Sequence, residues 1–146
     1  MGAVSELFDT NILIDHLNGV AKATREITRS KSPAISAITW IEVMTGAASS
    51  SEEAILRAFL ANFQYLEMTR EVAERAAVIR RQKRLKMPDA IILATAEVGG
   101  RQLVTRNVKD FPIGTPGVRV LTRFEGDCDG KRFARGANAH SCDETA

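Results

Sequence analysis

Short apolar runs alternate with helix-like segments along most of this chain, and that alternation restricts its fold more than any other feature. Strands separated by helices pair in parallel, and helices then cover both faces of the resulting sheet. The sequence therefore predicts an α/β fold with a central parallel sheet. The predicted strands are 4–8, 33–36, 65–68, 102–105 and 118–121, and the predicted helices are 12–17, 21–30, 37–48, 50–63, 70–84 and 89–98.

Local signals mark where several of these helices begin and end. Ser50 followed by Glu53 predicts a capping box, and Thr69 predicts the cap of a long helix. Pro88 suits the first position of the next helix, and the Gly99-Gly100 pair suits its end.

Length and composition favour one ordered domain. The chain has 146 residues, 45% of them hydrophobic, with a net charge of +2, which is enough for a single core. No apolar run approaches the ~20 residues of a membrane span, and the first residues lack a secretory signal, so we expect a cytoplasmic protein. We expect a domain over 1–122 and a disordered tail over 123–146, where the only cysteines, Cys128 and Cys142, lie.

Three acids stand where a neutral residue would be expected. Glu42 is the only charged residue between Lys31 and Glu52. Asp9 closes the first predicted strand, and Asp89 directly precedes an apolar run. Burying a lone carboxylate costs several kcal/mol unless something compensates it. Structural explanations remain open for all three. Asp9 could cap a helix, Asp89 could be stabilised by the dipole of a helix in whose first turn it lies, and Glu42 could lie at the edge of an apolar face.

Strand topology suggests where these acids meet. Ligands of open parallel sheets bind beyond the carboxyl ends of the strands. Asp9 lies at one such end, and Thr105, Asn107 and Asp110 lie at or just after another. If Glu42 and Asp89 point to the same rim, the carboxylates need a cation, and an all-oxygen site favours Mg²⁺ or Mn²⁺. Such an ion can assist hydrolysis of a phosphodiester.

Other chemistries fit less well. The chain has no G-x-S-x-G, P-loop or G-x-G-x-x-G motif. His16 and His140 are the only histidines, which disfavours a metal-free nuclease with two catalytic histidines. An aspartyl-phosphate phosphatase would need an acid where Asn11 stands.

Four stretches around these residues resemble the four motifs of PIN-domain ribonucleases, in particular the VapC toxins of bacterial toxin–antitoxin pairs. They are Phe8-Asp9-Thr10-Asn11-Ile12-Leu13-Ile14-Asp15, Trp40-Ile41-Glu42-Val43-Met44-Thr45-Gly46, Pro88-Asp89-Ala90-Ile91-Ile92-Leu93-Ala94-Thr95-Ala96 and Leu103-Val104-Thr105-Arg106-Asn107-Val108-Lys109-Asp110-Phe111. The resemblance covers about residues 4–121. It implies a three-layer α/β/α fold with a mostly parallel sheet of about four to five short strands.

The resemblance also implies a function and roles for particular residues. It implies an Mg²⁺- or Mn²⁺-dependent endoribonuclease, a cognate antitoxin protein as partner, and a homodimer. The family's three acids, its metal ligands, fall on Asp9, Glu42 and Asp89, and its supporting polar group falls on Asn11. The fourth acidic position falls on Asn107, on Asp110, or on both together with Thr105.

Basic residues suggest how RNA would be bound. Residues 70–86 hold seven Lys or Arg against two Glu, so the segment is either a phosphate-binding edge or a solvated helix face. The candidate RNA contacts are Arg80, Arg81, Lys83, Arg84, Lys86 and Arg106. Two other functions remain open: an inactive module that binds RNA or an antitoxin, and a phosphatase or DNA nuclease using the same acids.

Overall fold

The computed structural model describes residues 5–122, which form a five-stranded sheet and six helices. The strands are β1 (Glu6–Phe8), β2 (Ala34–Ser36), β3 (Gln64–Leu66), β4 (Gln102–Thr105) and β5 (Val118–Val120). The helices are α1 (Thr10–Leu17), α2 (Ala21–Arg29), α3 (Ala37–Thr45), α4 (Ser50–Leu60), α5 (Arg70–Lys83) and α6 (Met87–Val98). The predicted α/β class is confirmed.

The sheet is parallel throughout and has the strand order β3-β2-β1-β4-β5. Leu7 on the central strand β1 pairs with Ala34 of β2 on one side and with Leu103 of β4 on the other. From β1 the chain builds the sheet outward in one direction through β2 and β3, and later in the other through β4 and β5. The order therefore reverses beside β1, and a crevice at such a point is where ligands of open parallel sheets bind.

Two hydrophobic layers cover the sheet. Alternate residues of a strand face opposite sides, so Leu7 and Leu103 pack with α5 and α6, whereas Phe8 and Val104 pack against α1 and α4. The expected three-layer α/β/α arrangement is confirmed, with a short sheet buried on both faces.

The cap of α4 differs from its sequence-based prediction by one residue. Ser49, not Ser50, is the N-cap, and its hydroxyl accepts the N–H of Glu52 at 3.2 Å. Glu52, not Glu53, is the acid that reaches back, and its carboxylate accepts the N–H of Ala48, the residue before the cap, at 3.0 Å. Both Ser-x-x-Glu pairs fit the spacing rule, so spacing alone could not separate them.

Other element boundaries shift by a few residues. Helix α4 ends at Leu60, before the predicted 63, because the side chain of Asn62 donates to the carbonyls of Ala58 and Phe59 and satisfies them. Helix α3 ends at Thr45, and Pro88 takes the second position of α6. Among residues 5–122, no helix is both long enough and apolar enough to span a membrane. The predicted tail, with its two cysteines and His140, lies outside the described residues.

Candidate active site

Asp9 lies at the carboxyl end of β1 and caps α1. Its side chain is buried, with 3% of the residue exposed. Oδ1 accepts the N–H of Thr10 at 2.7 Å, and Oδ2 accepts the hydroxyl of Thr105 at 2.6 Å. Burial raises the pKa of Asp9, and these two hydrogen bonds oppose that rise. Asp9 can therefore cap α1 and also belong to the group of acids at this edge of the sheet, Asp9, Glu42, Asp89 and Asp110, which we call the acidic rim.

Thr105 and Asn11 join the ends of β1 and β4. The fully buried Thr105 hydroxyl accepts the backbone N–H of Asn107 at 3.1 Å and the Asn11 amide at 3.2 Å. The amide of Asn11 also lies 3.4 Å from Oδ2 of Asp9, and its oxygen accepts the N–H of Arg106 at 3.2 Å. Strands β1 and β4, where the strand order reverses, are thus joined by side-chain hydrogen bonds at the rim where the acids lie.

Glu42 projects from α3 toward α1. The hydroxyl of Thr10 donates to its Oε1 at 2.5 Å. Burial raises the pKa of Glu42, the Thr10 hydrogen bond opposes the rise, and the charge of Asp9 adds to it. Thr10 therefore holds two acids at once, Asp9 through its backbone and Glu42 through its side chain.

Asp89, in the first turn of α6, is another rim carboxyl whose pKa is raised by burial and by its acidic neighbours. Burial is the largest cause, and the charges of Asp9, Asp110 and Glu42 together with a side-chain hydrogen bond to Asp110 add to it. Its pKa is raised to about 7. Asp9 before α1, Glu42 on α3 and Asp110 in the β4–β5 loop are thus close enough to Asp89 to oppose its ionisation.

Asn107 and Asp110 form a closed turn after β4. The Asn107 amide donates to Oδ2 of Asp110 at 2.9 Å, and the Asp110 N–H donates back to the Asn107 side-chain oxygen at 3.2 Å. Asp110 supplies the charge in this pair, and Asn107 fixes the orientation of its carboxylate.

Comparison with known proteins places this arrangement in a family. A sequence model of the PIN domain matches residues 7–112, which span all four motifs. The chain belongs to the PIN domain family. A Mycobacterium tuberculosis protein named Ribonuclease VapC10 is 32% identical over 115 residues, covering 73% of this chain and 86% of that protein. Ribonuclease VapC19 of the same species is 31% identical, covering 74% and 93%.

A solved structure supports the same assignment of this PIN domain. A chain of a toxin–antitoxin complex from Klebsiella pneumoniae is 45% identical, with a TM-score of 0.75, covering 84% of this chain and all of that one. A VapBC2 chain from Rickettsia felis, 18% identical with a TM-score of 0.66, shares the fold.

The donor set of the PIN-domain rim suits a hard divalent cation. The four acids and their Thr and Asn partners offer oxygen ligands, which Mg²⁺ and Mn²⁺ prefer. Among residues 5–122, no three His, Cys, Asp or Glu side chains are already arranged around one ion position. Mg²⁺ needs only one or two carboxylates and retains several waters. Asp89 lies close enough to Asp9, Glu42 and Asp110 for their charges to raise its pKa, so carboxylates of the rim can face one ion and the residues fit it.

The six candidate RNA contacts of this PIN domain divide into two groups. The first is exposed and occupies the end of α5 and the connection to α6: Arg80, Arg81, Lys83, Arg84 and Lys86. Arg106 differs, because its guanidinium binds Asp15 through two contacts, at 2.5 and 2.9 Å. Its side chain is 15% exposed and that of Asp15 only 7%. The structure thus gives Arg106 a protein partner on α1.

Three residues near the rim were missed by the sequence analysis. Thr39 precedes Glu42 by three positions, which puts both on one face of α3, so helical spacing could have identified it. Thr10 is adjacent to Asp9 and was available by the same argument. Nothing in the sequence signalled the pairing of Asp15 with Arg106, which lie 91 positions apart.

Proposed function

We propose that the protein is a metal-dependent endoribonuclease that hydrolyses RNA phosphodiester bonds and serves as the toxin of a toxin–antitoxin pair. The observation that carries the proposal is the acidic rim at the carboxyl end of the sheet, where burial and the charges of Asp9, Asp110 and Glu42 raise the pKa of Asp89 to about 7. An excess of carboxylates at one rim is what a divalent cation would neutralise. The names of the related VapC ribonucleases support the same activity.

The residues of the rim divide the work. Asp9 and Asp89 are the principal candidates to hold Mg²⁺ or Mn²⁺, with Glu42 holding the ion or its water. Asp110 takes the fourth acidic position, because it is the carboxyl of the Asn107–Asp110 turn and is close enough to Asp89 to raise the pKa of Asp89. Asn107 orients Asp110. The bound ion would supply a positive charge against the phosphodiester.

The remaining polar residues keep this arrangement in place. Thr105 and Asn11 hold Asp9 from the β4 side and the α1 side. The exposed basic residues at the end of α5 and in the connection to α6 precede Asp89 in the chain by three to nine positions, so they can attract an RNA backbone toward the rim. Arg106, bound to Asp15, acts chiefly by positioning the loop that carries Asn107 and Asp110.

The similarity to a solved toxin–antitoxin structure also points to the partners of the protein. A cognate antitoxin is proposed because a similar solved chain, 45% identical, belongs to a toxin–antitoxin complex. We also propose a homodimer that acts in the cytoplasm, where its RNA would be met. Ile41 on α3 and Ile55 on α4 are more than half exposed and offer apolar surface for association. Light scattering of the purified chain would measure the mass of the assembly.

A cleavage assay tests the activity. RNA, DNA and a phosphomonoester are incubated separately with the full chain and Mg²⁺ or Mn²⁺, with and without EDTA. We expect cleavage of RNA alone, lost with EDTA and in Asp9→Asn and Asp89→Ala. Glu53→Gln, which removes an exposed acid on α4, serves as the matched control and should retain activity.

Each other outcome has a defined meaning. Full RNA cleavage by Asp9→Asn would contradict the assignment of the site. Cleavage of DNA or of the phosphomonoester instead would favour a different hydrolase on the same acids. Absence of cleavage together with absence of stabilisation by Mn²⁺ would favour an inactive RNA- or antitoxin-binding module.

A further inference from the structure

Three buried hydroxyls form a hydrogen-bonded chain that ends on Glu42. The Ser36 hydroxyl lies 3.4 Å from that of Thr39, which lies 2.9 Å from that of Thr10. The Thr10 hydroxyl in turn lies 2.5 Å from Oε1 of Glu42. Ser36 and Thr39 are fully buried, and Thr10 is 3% exposed. This chain of hydroxyls therefore links the end of β2 to the acidic rim through α3 and α1.

The direction of donation along this chain follows from the number of available hydrogens. Thr10 has one hydroxyl hydrogen and donates it to Glu42. Thr39 must then donate to Thr10, and Ser36 donates to Thr39. The oxygen of Ser36 meanwhile accepts the N–H of Thr39 at 3.1 Å, as the N-cap of α3. Each hydroxyl thus has a fixed role, and Glu42 is the terminal acceptor.

This arrangement ties Glu42 to the rest of the rim. Thr10 belongs to α1, and its backbone N–H holds Oδ1 of Asp9 at 2.7 Å. Glu42 belongs to α3, where Thr39 occupies the same face one turn earlier. The hydroxyl chain therefore fixes the carboxylate of Glu42 with respect to that of Asp9, although the two acids come from different helices.

We propose that Ser36, Thr39 and Thr10 are positioning residues that hold the Glu42 carboxylate in place for hydrolysis, an inference that rests on the proposed endoribonuclease function. Thr39 is the residue that tests it, because its hydroxyl is hydrogen-bonded to Thr10, which in turn donates to Glu42, and removing that hydroxyl takes no charge from the rim. Loss of a preorganised group lowers the rate of a reaction more than it lowers the binding of its substrate.

The experiment compares three variants of the full chain in RNA cleavage with Mn²⁺. Thr39→Val removes the hydroxyl at constant shape, and Thr39→Ser keeps it. Thr95→Val is the matched control, since Thr95 is also a buried helical threonine whose hydroxyl donates only to the carbonyl of Ile91 on its own helix. We expect Thr39→Val to lower kcat about tenfold with KM nearly unchanged. Thr39→Ser should restore most of that loss, and Thr95→Val should cleave as the wild type does.

A second measurement does not depend on catalysis. Urea unfolding of Thr39→Val, Glu42→Gln and the double variant forms a double-mutant cycle. We expect the two free-energy changes to be non-additive, because both substitutions act on the hydroxyl of Thr10. The same cycle with Thr95→Val in place of Thr39→Val should be additive.

The outcomes separate the two proposals. Additive changes in the Thr39 cycle, or cleavage by Thr39→Val equal to that by Thr95→Val, would overturn the positioning role. Failure of the wild type to cleave RNA with either ion would contradict the proposed function. The unfolding cycle would then still test whether Thr39 and Glu42 are coupled through the hydroxyl of Thr10.

Discussion

The hydroxyl of Thr105 donates a hydrogen bond to Oδ2 of Asp9 at 2.6 Å, joining residues 96 positions apart in the sequence. Thr105 ends β4 and Asp9 follows β1, and these two strands are neighbours at the point where the strand order reverses. The acidic rim is therefore built around a contact between the carboxyl ends of two parallel strands.

Thr105→Val tests how much this contact stabilises the domain. The substitution leaves the buried carboxyl of Asp9 without one of its donors, so we expect a loss of about 1–3 kcal/mol in the free energy of unfolding. Because the Thr105 hydrogen bond lowers the pKa of Asp9, the loss should shrink as the pH falls. Urea unfolding at several pH values measures both effects.

Thr105→Ser is the control for this prediction, because serine keeps the hydroxyl and loses only a methyl group. Its stability should fall by less than that of Thr105→Val. A loss in Thr105→Ser as large as that in Thr105→Val, or a loss in Thr105→Val that does not change with pH, would contradict the role of the Thr105 hydrogen bond.

Asp89→Asn should stabilise the isolated protein at neutral pH. The pKa of Asp89 is about 7 in the folded chain, against an ordinary value of 3.8. The folded state then binds the proton more tightly, so the contribution of Asp89 to stability is fully present below about pH 4 and is lost as the pH rises through 7. The variant carries no such charge, and its advantage over the wild type should grow from pH 4 to pH 8.

Urea unfolding across that pH range, without divalent ions, makes the comparison. Glu53→Gln removes an exposed acid on α4 and should show no comparable divergence from the wild type. A constant difference between Asp89→Asn and the wild type at all pH values would contradict the shifted pKa. Addition of Mn²⁺ should raise the Tm of the wild type more than that of Asp89→Asn.

Much of the fold could be predicted from the sequence because its elements are signalled locally. Thr69 caps α5 as predicted, and the apolar run after Asp89 forms the buried face of α6. Boundaries were less accessible where two local solutions compete, as with the overlapping serine and glutamate pairs of α4. Those choices depend on tertiary packing, which short-range spacing does not contain.

The acids of the site could be predicted from the sequence, whereas most of their hydrogen-bond partners could not. The isolation of Glu42 within an apolar segment indicated an unusual carboxylate, and strand topology placed Asp9 and Thr105 at one rim. The hydrogen-bond partners were less accessible, because a contact such as that of Arg106 with Asp15 depends on how a loop folds back on α1. Arg106 resembled any other basic residue until its partner was known.

The ion pair of Arg106 and Asp15 should stabilise the domain far more than a surface pair does. Burial raises the pKa of Asp15, and the hydrogen bond and charge of Arg106 oppose that rise. Arg106→Leu would leave Asp15 buried without its cation, so we expect a loss of about 3–5 kcal/mol in the free energy of unfolding. The exposed pair of Arg57 and Glu53 is the comparison, and Arg57→Leu should cost less than about 1 kcal/mol.

Chemical unfolding of both variants provides the measurement. The double variant Arg106→Leu with Asp15→Leu should recover part of the loss, because it removes the stranded carboxylate along with its partner. Equal, small losses in Arg106→Leu and Arg57→Leu would show that Asp15 is well solvated without Arg106.

Arg84 combines a strained backbone with a surface charge, and the two can be separated. It ends α5 in the left-handed conformation, with φ of 55°, where a side chain is disfavoured and glycine is not. Arg84→Gly should therefore unfold at higher urea concentration, with a gain of roughly 1 kcal/mol relative to Arg84→Ala, which keeps the strain.

Both variants of Arg84 lose the same charge, so both should bind RNA more weakly than the wild type. If Arg84 contacts a phosphate, the log–log slope of binding against salt concentration should fall by about 0.7. Equal stability of the two variants would contradict the conformational argument, and an unchanged salt dependence would remove Arg84 from the RNA-binding surface.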